Sequence, residues 1–164
     1  GNILQGITDE TKRRLSMDAG LAILFLGTYI LPNIPFARVR AISTGDAHKD
    51  RAAERVLRRA CRTARITSAH LQDSSLRTRV TNRMKHTRFV ETTNNSHVID
   101  KGRSIALRVR TPRGVLVGWD QVGEYLLHEM AHVATTGVGH SDEFDFAEAA
   151  MRDAYASALT SRLL

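Results

Sequence analysis

The 164-residue chain has a single cysteine, Cys61. One thiol closes no internal disulfide, so nothing argues for an oxidising compartment. Cys61 sits among small and apolar residues and reads as a core side chain. Aromatic residues make up only 5% of the chain, too few for the stacking platforms of single-strand nucleic-acid binders. Internal repeats and low-complexity tracts are absent. Acidic residues are scarce in the middle: residues 38–113 carry 19 basic and 6 acidic side chains, net +13. Residues 114–164 reverse this with 2 basic and 8 acidic, net −6, while residues 1–37 balance at three of each.

What remains is ordinary for one globular domain: 42% hydrophobic and 25% charged residues, at a length that can bury a core. Arginine supplies 20 of the 24 basic side chains. Its planar fork matches phosphate geometry, so the middle third is either a nucleic-acid or acidic-lipid surface or a solvated charged face.

Two segments follow from hydropathy, residues 1–37 and residues 38–164. From Ala19 to Ala37 no residue is charged, and GLAILFLGTYIL is nearly continuous apolar sequence behind Lys12, Arg13 and Arg14. These nineteen residues approach the roughly 20 of a membrane-spanning helix. The strongly apolar part ends at Leu31, however, and Pro32 and Pro35 would stop a helix there. Residues 19–37 are therefore expected to form an apolar helical segment that either anchors in a membrane or is covered by the domain or a partner protein. The opening GNILQG resembles a myristoylation start, with Gln5 where Ser or Thr is favoured. The expected setting is intracellular, and membrane-anchored or virion-associated if this segment inserts.

In the rest of the chain, Ala53, Val56, Leu57, Ala60, Cys61 and Ala64 follow helical spacing and predict an amphipathic helix with its arginines outward. SAHLQDSSLRTRV is polar and weakly periodic. TRFVET is a short strand candidate. In SIALRVRT, Ile105, Leu107 and Val109 alternate with Arg108 and Arg110, the pattern of a half-buried strand. TPRG is turn chemistry, after which VLVG can pair back as a hairpin. Asp120 is an N-cap candidate for a helix from about Gln121 to Thr135. A last helix starts near Ser141, with Phe144, Ala147, Ala150 and Met151 inward.

The chemistry concentrates in EYLLHEMAHVATTGVGHSDEF. His128 and His132 are four apart, so on a helix both imidazoles reach one metal ion. Glu129, beside the first, can face a water on that metal. Zinc takes such nitrogen ligands, and catalytic sites keep a fourth position open. Two histidines and a glutamate on an apolar helix are costly without a shared purpose. Three residues compete for the third ligand: His140, Glu143 and Glu148. Gly139 lets the backbone approach closely and favours His140. The metzincin spacing is not met, since Thr135 and Val138 stand where its Gly and His belong.

LLHEMAH…GHSDEF resembles the end of WLM-type metallopeptidase domains, relatives of the SprT and Spartan group, down to Phe144 four residues after the third histidine. HVIDKGRSIALRVR, residues 97–110, is similar to the stretch where an Asn/Asp-Lys-Gly turn leads into a strand with alternating arginines. RMKHTRFVET, residues 83–92, matches more loosely, and the resemblance spans roughly residues 50–155. The loop before His140 is longer than usual, and Ser141 replaces the common Asp or Gly.

The resemblance implies a minimal zincin-like α+β domain, with a short, mostly antiparallel sheet packed on the active-site helix. It implies Zn2+ held by His128, His132 and His140, Glu129 as general base, and hydrolysis of peptide bonds in a protein substrate. In the best-known members this clears proteins crosslinked to DNA, so nucleic acid is an expected partner. The alternative is a structural or membrane-associated protein built on such a domain, without required catalysis.

Overall fold

The computed structural model describes residues 39–136 and 139–164. Residues 1–37, and with them the apolar segment and the myristoylation-like start, lie outside the described residues. Among the described residues no helix is long and apolar enough to cross a membrane.

The element order is β1 (Val39–Arg40), α1 (Ala47–Ala69), α2 (Ser74–Met84), β2 (Arg88–Glu91), β3 (His97–Ile99), a 3-10 turn (Asp100–Gly102), β4 (Ser104–Leu107), α3 (Trp119–Ala134) and α4 (Asp142–Thr160). The domain is α+β, as expected. α1 begins where Asp46 accepts a hydrogen bond from the Lys49 amide, and it buries the expected stripe Ala53, Leu57, Ala60, Cys61 and Ala64. Val56 is half-buried.

α2 occupies the stretch that reads as polar and weakly periodic. Asp73 caps it by accepting from the Leu76 amide, and Leu76, Val80 and Met84 are buried. Three apolar side chains four apart make a narrow stripe, enough to hold a helix against α1 and α3.

The sheet runs β1-β2-β4-β3. β1 lies parallel to β2 (Val39 beside Phe89) and β2 parallel to β4 (Phe89 beside Ile105). β3 lies antiparallel to β4, with His97 beside Ala106. The sheet is thus mixed, with two of its three pairings parallel, which corrects the expectation of a mostly antiparallel one. The reason is the connections. β1 reaches β2 through the α1–α2 crossover, long enough for parallel pairing. β3 and β4 form a hairpin over the 3-10 turn, but β3 takes the outer edge and leaves β4 beside β2.

VLVG does pair back: the Thr111 amide donates to Val115 O at 2.8 Å and the Val117 amide to Val109 O at 2.9 Å. α1 and α3 pack on the sheet, and α4 packs on both helices. Leu57, Phe89, Ile105, Leu107, Leu126, Met130, Phe144 and Met151 fill the junction.

Arg110 departs from the expected outward arginine row. It is 7% exposed and its guanidinium takes Glu91 in a fork, Nη2 to Oε1 at 2.6 Å and Nε to Oε2 at 2.8 Å. It also donates to Asp50 Oδ1 at 2.8 Å and Ile42 O at 2.9 Å. This cluster ties the segment between β1 and α1 to the sheet. Asp50 is held down to a pKa of about 2, first by the Thr44 hydroxyl and then by Arg110.

Candidate metal centre

α3 is apolar along Val122, Leu126, Leu127, Met130, Ala131, Val133 and Ala134, all buried. Its N-cap is Gly118, two residues before the expected Asp120, which sits in the first turn. A carboxylate there still complements the helix dipole. The C-terminal carbonyls are taken up by two arginines of α2. Arg79 Nε donates to Ala134 O at 2.8 Å, and Arg83 Nη1 to Val133 O at 2.8 Å and Thr135 O at 3.2 Å. Cations at this end suit both the orphan carbonyls and the dipole. The helix that carries His128, Glu129 and His132 is therefore fixed at its far end by α2.

His128 and His132 face the same side one turn apart, their ring centroids 4.9 Å apart. His140 joins them at 5.0 Å from His128 and 5.2 Å from His132. Their ligand nitrogens all lie within 4.8 Å of one another. Gly139 before it has φ +83°, a left-handed conformation that glycine adopts without cost. Among the described residues these three form the cluster of metal-ligating type. The donor set, three histidines with a carboxylate beside them, fits zinc with an open position.

Phe144 forms the floor. Ser141 caps α4 by accepting from the Phe144 amide at 3.2 Å, and one turn of helix carries the ring beneath the histidines. It stacks on His140 at 4.5 Å and 23° and lies 4.4 Å from His132 and 5.1 Å from His128.

The two carboxylates that compete with His140 in sequence take other places. Glu148 Oε2 meets His128 Nδ1 at 2.9 Å, leaving Nε2 of that ring for the cluster. Glu143 Oε1 accepts from the Thr136 amide at 3.3 Å and its hydroxyl at 3.4 Å.

Glu129 is 5% exposed. Burial pushes its carboxyl up to about 7, against the opposing pull of His128 and His97. His97, on the edge strand, is thus a neighbour of Glu129 that its sequence position does not reveal. His132 is held below the usual imidazole range, first by burial and then by His128 and His140. That favours the neutral ring, the form that binds a metal.

A helix carrying His-Glu-x-x-His, packed on a short mixed sheet and followed closely by a third histidine, is a metallopeptidase-like arrangement. The fold is similar to that of Wss1 from Saccharomyces cerevisiae, at 17% identity and a TM-score of 0.57 over 80% of this chain and 98% of that one. A crystal structure of a Wss1 mutant from the same organism aligns at 14% identity and a TM-score of 0.50, over 77% of this chain and 94% of that one. At these identities the likeness shows a common fold. The sequence itself matches no family profile and no curated protein.

Proposed function

We propose that the chain is a zinc-dependent metallopeptidase acting on protein substrates. The observation that carries this is the convergence of His128, His132 and His140 within 4.8 Å, next to the buried Glu129. The likeness of the fold to Wss1, the WLM-domain zinc metalloprotease, supports the same reading.

His128, His132 and His140 would hold the ion. When bound, zinc supplies Lewis acidity and a coordinated water acidified toward neutrality. Glu129 takes up the proton of the attacking water at its carboxylate and returns it to the leaving amine nitrogen. Burial raises this carboxyl in the metal-free chain, and the charge of a bound zinc would draw it back toward the carboxylate that accepts the water's proton. Glu148 holds the His128 ring by Nδ1 and so keeps Nε2 presented. Phe144 keeps water from the underside of the three rings.

Metal analysis of the purified chain, together with an assay on a denatured protein substrate, tests this. About one zinc per chain is expected, and Glu129→Gln should keep the metal and the fold while losing at least about 100-fold in hydrolysis. A chain that binds no zinc, and in which His128→Ala changes nothing, overturns the proposal.

A further inference from the structure

A cavity of about 600 Å³ lies between the end of α2 and the β3–β4 turn. Its walls carry Arg83, His86, Arg88, Lys101 and Arg103 against one carboxylate, Asp100. Arg83, Arg88, Lys101 and Arg103 against Asp100 leave a net of three positive charges on the lining. Asn82 and Ser104 add polar groups on the same wall.

These charges are poorly neutralised from within. Arg83 donates to main-chain carbonyls, which leave its charge intact. Arg103 reaches Asp100 only at 3.9 Å, and both side chains are largely exposed. Among the described residues no carboxylate lies within ion-pair distance of Arg88 or Lys101. Folding has gathered like charges from three elements, the end of α2, β2 and the turn, into one concavity. Like charges in one concavity repel, and a multiply charged anion relieves that repulsion.

The turn adds backbone geometry. Asp100, Lys101 and Gly102 have φ of +49°, +55° and +106°. Two non-glycine residues in the left-handed region are uncommon. They bend the hairpin so that Lys101 and Arg103 line the same concavity as the α2 side chains.

We propose that this cavity is a binding site for a phosphate group. Guanidinium forks grip phosphate oxygens two at a time, Lys101 supplies a point charge, and Asn82 and Ser104 supply neutral donors. The phosphate can come from a small phosphorylated ligand or from a nucleic-acid backbone. The site is separate from the histidine cluster and does not depend on peptidase activity.

The test titrates the full chain in two arms at fixed ionic strength, one with inorganic phosphate and one with a single-stranded oligonucleotide. Saturable binding is expected, and Arg88→Ala with Arg103→Ala should weaken it at least about tenfold. Arg83 is left intact because it also caps α3. Lys101→Gly removes a charge and relieves the left-handed backbone, so it should weaken binding while the melting temperature holds or rises. A loss of binding with an intact fold then has no structural explanation. Phosphate held as tightly per phosphate as the oligonucleotide identifies a small ligand. Much tighter oligonucleotide binding, lost in the same variants and falling steeply with salt, identifies a polynucleotide. Absence of saturation in both arms, or equal affinity in parent and variants, overturns the proposal.

Discussion

Glu148 Oε2 lies 2.9 Å from His128 Nδ1, across the junction of α4 and α3. The carboxylate fixes which ring nitrogen carries the proton and which faces His132 and His140. Arg152 Nη2 in turn stands 3.6 Å from the same carboxylate oxygen, and its Nη1 pairs with Glu124.

Glu148→Ala should therefore lower zinc affinity by about 10–100-fold without changing the number of ions bound. Competition with a chelating dye measures this. If Glu148 were itself a ligand, the loss would come with a change in coordination visible by X-ray absorption. An unchanged affinity would mean that the contact does not orient the ring.

Glu129 should give the metal-free chain a pH-dependent stability of definite sign. Its proton is bound more tightly in the folded state, with a pKa of about 7 against an ordinary 4.5. The stability it contributes is complete below pH 4.5 and is lost as pH rises through about 7. Above that, the buried carboxylate costs on the order of 3 kcal/mol. Glu129→Gln should flatten the slope and be more stable than the parent at pH 8. Urea unfolding of both chains at pH 5 and pH 8, after chelation, checks it. Parallel pH dependences would show that Glu129 does not carry the effect.

Arg110→Ala should cost about 3–5 kcal/mol, because it strands the buried Glu91 carboxylate. Replacing both partners, Arg110→Met with Glu91→Leu, should recover most of that loss. Denaturant midpoints for the two single variants and the pair form the cycle. A double variant that is no better than Arg110→Ala would mean the guanidinium acts through Asp50 and Ile42 rather than through Glu91.

What could be read in the sequence was set by local periodicity. α1, α3 and α4 show their buried faces at helical spacing, and the spacing of His128 and His132 places both on one side of α3. α2 escaped because Leu76, Val80 and Met84 are diluted by polar neighbours. Strand direction escaped because pairing is decided between distant segments, here by β3 moving to the edge. The burial of Arg110 is not legible in the sequence, because alternation marks a face but not what lies against it, and Glu91 and Asp50 meet it from elsewhere in the chain. Glu148 was visible as a carboxylate near the site, yet its role depends on which nitrogen of His128 it meets. The basic cavity was legible only as a net charge, since its lining is drawn from residues 82–104, brought together by the α2–β2 connection and the hairpin turn.

The histidine cluster, the buried Glu129, the Phe144 ring and the carboxylate behind His128 all fall between His128 and Glu148, a span of 21 residues. Every chain closure that builds the centre is therefore short, and the entropy of bringing its parts together is small. The strands and α2 contribute walls and bracing, but none of these groups. Such a centre can assemble early, as a single helical hairpin, before the sheet has closed around it.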